Sequence, residues 1–377
     1  MNQHPNHMMK ALIEREQNGL LRKLKNSFPP IDFCSNDYLG FAKLGLLSKK
    51  VQESSEAGPK SLGSTGSRLI SGNSHFIEDA EKQIALFHHA QSALIFNSGY
   101  DANIGLLSSV AQKTDLILYD EFVHASIYDG IRLSQATHYK FSHNDLHSLE
   151  ELIGRHQKNF DSIYVIVESV FALDGDSAPL IELAEICNPG KNIFLIVDEA
   201  HAIGVFGKQG RGLCNALGIE ANCFARIYTY GKAMGCHGAA IVGSEILTKY
   251  LINFARSFMY TTALPEHCID AILHAYQLLI ETDQKDALQN NIAYFYSRSG
   301  NLKHCVKTQS AIHSMKIGSN EQLDHCERAL AEKNIHIRCI KSPVVKHGTE
   351  RLRFSIHSFN TRSEIDALVE VLNGFKF

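Results

Sequence analysis

The feature that most constrains this chain is an alternation of two periods. Short apolar runs of strand length are separated by segments whose apolar residues recur every three or four positions. "SALIF" (92–96), "DLILY" (115–119), "SIYVIVE" (162–168) and "IFLIVD" (193–198) read as strands, and "DANIGLLSSVAQ", "ASIYDGIRLSQ" and "LHSLEELIGRHQ" between them read as amphipathic helices. A helix that carries the chain back to the start of the next strand makes neighbouring strands parallel. The expected fold is therefore α/β, a mainly parallel sheet with helices on both faces and a site at the carboxyl ends of its strands. "ARIYTY" (225–230) and "AAIVG" (239–243) follow with no room for a helix between them, so they are expected as an antiparallel pair at the sheet edge. After Pro265 the pattern changes to long helices, then strands near 311–317, 336–340 and 351–357 and a last helix from about 362, an α+β unit. The expected organisation is an N-terminal helix and arm over 1–45, a large domain over 46–265 and a small C-terminal domain over 266–377.

Composition removes several function classes. With 44% hydrophobic and 20% charged residues the chain is globular, and a net charge of −3 provides no broad footprint for nucleic acid. The start, "MNQHPNHMMK", has no apolar core of signal-peptide length, and the longest apolar runs are too short to span a bilayer, so a soluble, cytoplasmic protein without a membrane partner is expected. Nine cysteines, none spaced as C-x-x-C, fit reduced thiols better than a disulfide framework or a structural zinc. None of the twenty histidines falls in a metal-ligand pattern such as H-E-x-x-H, and no metal is expected.

"IFLIVDEAH" (193–201) ends a strand on two carboxylates and a histidine, which suits either of two chemistries. A strand ending in DEAH can face the magnesium of a nucleoside triphosphate, or it can offer one aspartate to an organic cofactor. The first requires a glycine loop closing in Gly-Lys-Ser/Thr, because lysine and hydroxyl hold the phosphates and the metal. "GSTGSR" (63–68) has the glycines without the lysine. The two "GK" pairs, at 207–208 and 231–232, are followed by Gln209 and Ala233, and Ala202 and Arg226 stand where the loop needs its first glycine. There is no P-loop. The second chemistry requires a lysine, and "TYGKAMG" supplies Lys232 just past a strand and among small residues, a setting in which partial burial frees an amine for imine formation. Lys232 and Asp198 together match the needs of a pyridoxal phosphate enzyme, an imine-forming lysine and a carboxylate that keeps the pyridine nitrogen protonated. Of the DEAH carboxylates only Asp198 is expected to face the cofactor, since adjacent strand residues point to opposite faces and Glu199 therefore points away.

In collinear order the chain carries "DFCSNDYLG" (32–40), "GSTGSRLISGNSHFIEDAE", "FNSGYDAN", "DEFVHASIYDG", "FSHND", "VFALDGDSAPL", "DEAHAIGVFGKQGRG", "TYGKAMG", "FMYTTALP" and "GTERLRFSIH". Through these motifs it resembles the α-oxoamine synthases, fold-type I pyridoxal phosphate enzymes that condense an amino acid with an acyl thioester and release carbon dioxide. The resemblance implies that Lys232 carries the cofactor as an imine and then acts as general base. It implies that Asp198 pairs with the pyridine nitrogen, that His201 reaches the phenolic oxygen, and that His124 stacks on the ring and helps polarise the acyl carbonyl. Glu168 is placed among the cofactor-binding residues. Phosphate is expected at the backbone N–H groups of Gly99 and Tyr100, where a helix begins, with the Ser98 hydroxyl assisting and Thr229 donating from beside the lysine. Thr262, of the pair Thr261 and Thr262, is implied to come from the neighbouring subunit, hence a homodimer with shared active sites. Arg353 matches the arginine that binds the amino-acid carboxylate in two parallel bonds, with Asn36 beside it. Arg351 is expected on the opposite face of the same strand in a structural role.

The chain departs from the family pattern where relatives commonly have serine in "FSMDGD", here Ala172 in "FALDGD". It also has only "KNSFPP" where relatives carry a further strand pair, which leaves open whether Arg22 contacts substrate. The motifs specify cofactor and condensation chemistry but not the acyl tail, so sister synthases using another amino acid or acyl group stay open. An aminotransferase on the same fold would use the same lysine and aspartate without needing "HAS" or "TTALP". A cofactor-free scaffold would have no use for Lys232, Asp198 and His201 together.

Overall fold

The alternation of periods produces three sheets. In chain order the strands are β1 (Ile31–Asp32), β2 (Ser92–Phe96), β3 (Leu116–Asp120), β4 (Thr137–Phe141), β5 (Ile163–Glu168), β6 (Ile193–Asp198), β7 (Cys223–Thr229), β8 (Ala239–Gly243), β9 (Cys305–Val306), β10 (Ile312–Lys316), β11 (Ile335–His336), β12 (Arg338–Ile340) and β13 (Arg351–Ser355). The structure, a computed structural model, describes residues 4–24, 26–56, 58, 60–300 and 302–375. Residues 1–3, 25 and 376–377, which belong to the expected N-terminal and C-terminal segments, lie outside it.

The large sheet runs β2-β8-β7-β6-β5-β3-β4. β3 pairs in parallel with β4 and β5, β5 with β6, and β6 with β7, whereas β8 is antiparallel to both β7 and β2. The antiparallel relation of β7 and β8 is as the short connection implied, but their expected place at the edge is not. β8 is inserted between β7 and β2, and the edges are β2 and β4. The composition of β8 explains this: Ala239, Ala240, Ile241 and Val242 are all fully buried, and a strand apolar on both faces belongs inside a sheet. β4, "THYKF", is a seventh strand beyond the six expected, and its largely exposed side chains suit an edge. At the other edge the Ile95 N–H of β2 donates to the Glu81 carboxylate at 2.9 Å, so the free edge is capped by a helix side chain instead of being left to pair with another chain.

Alternate residues of the outer strands enter different cores. Leu94 and Phe96 pack on one face with Ile227 and Ile241, and Ala93 and Ile95 pack on the other with Tyr228 and Val242. That second core is continuous with the C-terminal third. There, the helices Glu266–Glu281 and Gln284–Arg298 precede a four-stranded antiparallel sheet of order β12-β13-β10-β9, and the chain ends in the helix Arg362–Gly374, begun by a reciprocal cap between Thr361 and Glu364. The expected strand at 336–340 is divided at Ile337. β12 joins β13, while β11 pairs in parallel with β1 and ties the N-terminal arm to this unit.

Candidate active site

Parallel strands have their carboxyl ends on one side of the sheet, and the residues expected to act lie on those ends. Glu168 closes β5 and Asp198 closes β6 directly beside it in register, while Thr229 closes β7 and Lys232 follows three residues later. β2 runs in the same sense, so Ser98 and the helix Gly99–Val110 begin on that side, as does the helix Ala125–Leu133, capped by His124. The adjacent carboxylates of DEAH separate as expected. Asp198 Oδ2 accepts from the Asn103 amide at 2.9 Å and Oδ1 from the Ala200 N–H at 3.0 Å. Glu199 is turned away and accepts the backbone N–H groups of Leu213 and Cys214 at 2.8 and 2.7 Å.

Lys232 is held where charge is costly. Burial lowers its pKa, with Arg353 adding to the effect, against the opposing pull of Asp198 and Glu168. An amine so placed is neutral over a wider pH range than a surface lysine and is the better nucleophile and base. Glu168 is 2% exposed, and burial, then Asp198, push its carboxyl up to about 8, with Lys232 opposing. Its Oε2 accepts from the Ala172 N–H at 3.2 Å, but its buried Oε1 meets no partner among the described residues.

The two histidines are held differently. His124 Nδ1 faces the Ser126 hydroxyl at 2.8 Å and accepts the Ser126 N–H at 3.2 Å. Asn103 links this group to Asp198, its amide donating to Ser126 Oγ at 3.0 Å as well as to the carboxylate. Burial and then Lys232 lower the pKa of His124, against Asp198 and Asp129. His201 is buried, and its Nδ1 lies 2.7 Å from the Tyr38 hydroxyl. Burial, Lys232, Arg353 and His124 all hold it well below the usual range, so it is neutral.

The carboxylate-binding end lies on the other side of Tyr38. Asn36 Oδ1 accepts from Tyr38 at 3.1 Å and from Arg353 Nη2 at 3.2 Å, and Arg353 Nε donates to the Ala172 carbonyl at 2.6 Å. Ala172 therefore acts here through its backbone, on Arg353 and on Glu168. The expectation that Arg351 lies on the opposite strand face is wrong: residues two apart on a strand share a face, and Arg351 and Arg353 both reach the loop 172–174. Arg351 pairs there with Asp174, which also binds the Ser314 hydroxyl. Gly175, in the same loop, has φ +77°, and a Cβ there would lie 2.1 Å from the Ile312 carbonyl oxygen, so only glycine lets the loop sit on β10.

At the start of the helix Gly99–Val110, a Cβ on Gly99 would lie 2.1 Å from Thr229 Oγ1, which brings the helix N-terminus hard against the β7 end. The first N–H groups of a helix have no ladder partner and favour an anion. The Ser98 hydroxyl is engaged in the cap, donating to Asp101 Oδ2 at 2.7 Å and accepting the Asp101 N–H at 3.1 Å, so an anion contact from it would have to compete with the cap. The Tyr100 hydroxyl binds Asp129. Thr261 and Thr262 lie beside Asn97 of the same chain, whose amide donates to Thr261 Oγ1 at 3.1 Å and to the Thr262 carbonyl at 2.9 Å. Arg22 is exposed on the arm, and no contact joins it to the other residues among those described. In the short segment before Ile31, Phe28 stacks on His336 at 4.8 Å.

Tyr38, Asn103 and Ser126 were not singled out from the sequence. An asparagine followed by the apolar run 104–107 of its helix, at 3% exposure, is the kind of buried polar residue that requires a partner, and that run is the available signal. No group of metal-ligating side chains occurs among the described residues, and no helix among them is long and apolar enough to cross a membrane.

Residues 29–372 match the family described as aminotransferase class I and II. An 8-amino-7-oxononanoate synthase of Emericella nidulans is 37% identical over 390 residues, covering 97% of this chain and 94% of the relative. The crystal structure of 8-amino-7-oxononanoate synthase from Francisella tularensis superposes with a TM-score of 0.77 at 32% identity, over 93% of this chain and 98% of that one. A serine palmitoyltransferase of Sphingomonas wittichii, at 23% identity, shares the fold with a TM-score of 0.88 over 98% of this chain and 97% of its own. A lysine kept partly neutral beside two carboxylates at the end of a parallel sheet thus sits in a chain of known descent, which belongs to the α-oxoamine synthases, pyridoxal phosphate-dependent acyltransferases of the class I and II aminotransferase family.

Proposed function

We propose that this enzyme condenses L-alanine with a pimeloyl thioester, delivered on coenzyme A or an acyl carrier protein, to give 8-amino-7-oxononanoate, carbon dioxide and free thiol in biotin biosynthesis. The observation that carries the reading is the meeting of Lys232, Asp198 and Glu168 at the carboxyl ends of the central strands, with a chain of hydrogen bonds leading from His201 to Arg353. The 37% identity to a protein named for this reaction supports the choice of substrates.

Pyridoxal phosphate fits these residues. The site has an amine of lowered pKa, a carboxylate pinned by two donors, a buried carboxylate oxygen still lacking a partner, and a helix N-terminus closed against Thr229. Bound, the cofactor supplies an electron sink for the pair left at the amino-acid Cα. Lys232 Nζ anchors it and takes the Cα proton, which its neutral fraction permits. Asp198 holds a proton at the pyridine nitrogen. His201 meets the phenolic oxygen and His124 covers the ring face and polarises the acyl carbonyl. The N–H groups of Gly99 and Tyr100, with Ser98 and Thr229, hold the phosphate, joined by Thr262 of a neighbouring copy in a homodimer. Arg353 grips the amino-acid carboxylate with Asn36, which aims the Cα–H bond at Lys232. Arg22 is assigned to the acyl-thioester side. The proposed organisation is an arm over 1–45 that supplies Asn36, a large domain over 46–265 that supplies Lys232 and Asp198 and a small domain over 266–377 that supplies Arg353, in a cytoplasmic enzyme.

The test is a panel of amino acids and acyl thioesters scored for thiol and carbon dioxide release. Turnover only with L-alanine and a pimeloyl thioester is expected. Preference for serine or glycine, or for another acyl chain, would assign the chain to a sister synthase, and amino-group exchange with a keto acid without carbon dioxide release would make it an aminotransferase.

A further inference from the structure

Arg353 can only donate, so the side-chain atom of Asn36 that faces it at 3.2 Å must be the carbonyl oxygen. The same oxygen faces the Tyr38 hydroxyl at 3.1 Å, and it too can only accept. Tyr38 has one proton, and that proton goes to Asn36. Toward His201, 2.7 Å away, the Tyr38 oxygen has only lone pairs to offer, so the imidazole must bring the proton on Nδ1. His201 is neutral, which leaves Nε2 bare. At His124 the same logic runs the other way. Its Nδ1 accepts the Ser126 N–H at 3.2 Å, and the Ser126 hydroxyl, already receiving an amide proton of Asn103, donates to it at 2.8 Å. The proton of neutral His124 is therefore on Nε2.

We infer that the network fixes the two site histidines in opposite tautomers, His124 presenting a donor and His201 an acceptor at Nε2, and that Tyr38 is the positioning residue that sets His201. Tyr38 is fully buried, and burial pushes its hydroxyl up to about 12, against the influence of Arg353, so it keeps its proton through the working pH range. The hydroxyl is a two-way junction. While Arg353 lies on Asn36, His201 can accept a hydrogen bond but not donate one. When Asn36 no longer accepts, the Tyr38 proton can turn to Nδ1 and His201 becomes a donor at Nε2. If Arg353 and Asn36 hold the substrate carboxylate, a consequence that rests on the function proposed above, filling that end of the site changes what His201 offers at the other. The tautomers themselves do not depend on that reading.

The experiment is long-range proton–nitrogen NMR of the full chain labelled with nitrogen-15 at histidine and stripped of cofactor, with His124→Gln and His201→Gln giving the assignments. His201 protonated at Nδ1 and His124 at Nε2 is the expected result, and His201 protonated at Nε2, or both histidines in one form, overturns the inference. Asn36→Leu frees the Tyr38 proton and should reverse His201 while leaving His124 unchanged. Tyr38→Phe should remove the preference of His201 for Nδ1. An unchanged His201 in Asn36→Leu, or in a folded Tyr38→Phe, removes Tyr38 from the role, and a merely structural tyrosine would move the melting temperature but neither tautomer. Failure of pyridoxal phosphate to attach at Lys232 would break the proposed function and leave these outcomes intact.

Discussion

Two buried glutamates stand near the ends of adjacent strands and are treated in opposite ways. Glu199, just past β6, is fully buried, and each of its oxygens accepts a backbone N–H at the start of the helix Leu213–Ala216. Glu168, at the end of β5, is buried as deeply, yet one oxygen has a single bond at 3.2 Å and the other has no partner among the described residues. Burial raises the pKa of both; at Glu199 three of the opposing contacts are hydrogen bonds from the helix start, whereas at Glu168 the backbone N–H groups of Ala172 and His124 pull the same way but among the described residues only that of Ala172 makes a hydrogen bond. A buried carboxylate whose hydrogen bonds are complete holds a fold together. One left incomplete beside a lysine costs stability and is retained where a ligand or a reaction needs it.

The largest effect expected of this comparison is on the incomplete side. Lys232→Ala should abolish borohydride-trapped attachment of pyridoxal phosphate and slow turnover by at least the roughly 10²–10⁴-fold that loss of a positioned base costs. Peptide mapping of the trapped label checks it, and a label on another lysine would show that the wrong amine was chosen.

Next comes the pair of arginines on β13. Arg351 and Asp174 are both mostly buried, and Arg351→Ala leaves that carboxylate without its cation, a loss of about 3–5 kcal/mol measurable by denaturant unfolding. Arg353→Ala should instead weaken the spectral titration with L-alanine about 10–100-fold, as expected for removing charge-assisted bonds of about 1.5–3 kcal/mol. An unaltered titration in Arg353→Ala, or one lost only in Arg351→Ala, would exchange their roles.

The glutamates themselves give a smaller and more direct comparison. Glu199→Gln replaces an acceptor by an amide that cannot accept at both positions, and should cost about 1–3 kcal/mol for the helix N–H left unpaired. Glu168→Gln, measured in cofactor-stripped protein, should cost nothing. Its carboxyl, raised to about 8, favours folding most fully below the ordinary glutamate range and loses that contribution as pH rises toward 8, so the variant should gain on wild type over that interval. Equal destabilisation by the two substitutions would end the distinction drawn between them.

What the sequence made legible was what lies within a few residues. The end of β6 at Asp198, the place of Lys232 just past β7, the start of the helix at Gly99 and the separation of Asp198 from Glu199 all follow from local period, and the structure has each of them. The long-range partners were not legible: Tyr38 meets His201 across 163 positions, and Asn103 meets Asp198 across 95. β4 was missed because an edge strand with exposed side chains lacks the continuous apolar run by which the inner strands were found. The two arginines of "RLRF" failed for a simpler reason, since a strand's period of two places positions 351 and 353 on one face.

The smallest effect expected is at His143, from "FSHND", which extends the comparison to a cation. Its Nδ1 lies 2.9 Å from Asp120 Oδ1 and its Nε2 2.7 Å from Asp176 Oδ2, with Phe122 stacked on the ring and Phe171 edge-on. Burial disfavours its charge, but the two carboxylates prevail and push it up to about 9. A group whose folded pKa lies above its unfolded value adds stability in full below the unfolded value, here the ordinary histidine range, and loses it as pH rises through the folded one. A pKa difference of one is worth about 1.4 kcal/mol before solvent screening, and the partly exposed Asp176 and imidazole keep only a fraction of it, so wild type should lose on the order of 1 kcal/mol of unfolding free energy between about pH 6.5 and pH 9. His143→Gln, which cannot titrate, should be less stable than wild type near pH 6 and should lack this part of the slope. Because Asp176 and Ala172 lie in one loop with Asp174, loosening the clamp should also weaken the seat of Arg353, seen as a poorer L-alanine titration that worsens in wild type as His143 deprotonates. Parallel pH–stability curves for wild type and His143→Gln would show that the histidine is held by its ring contacts alone, and that its two carboxylates belong with the incomplete groups of the site and not with the completed ones.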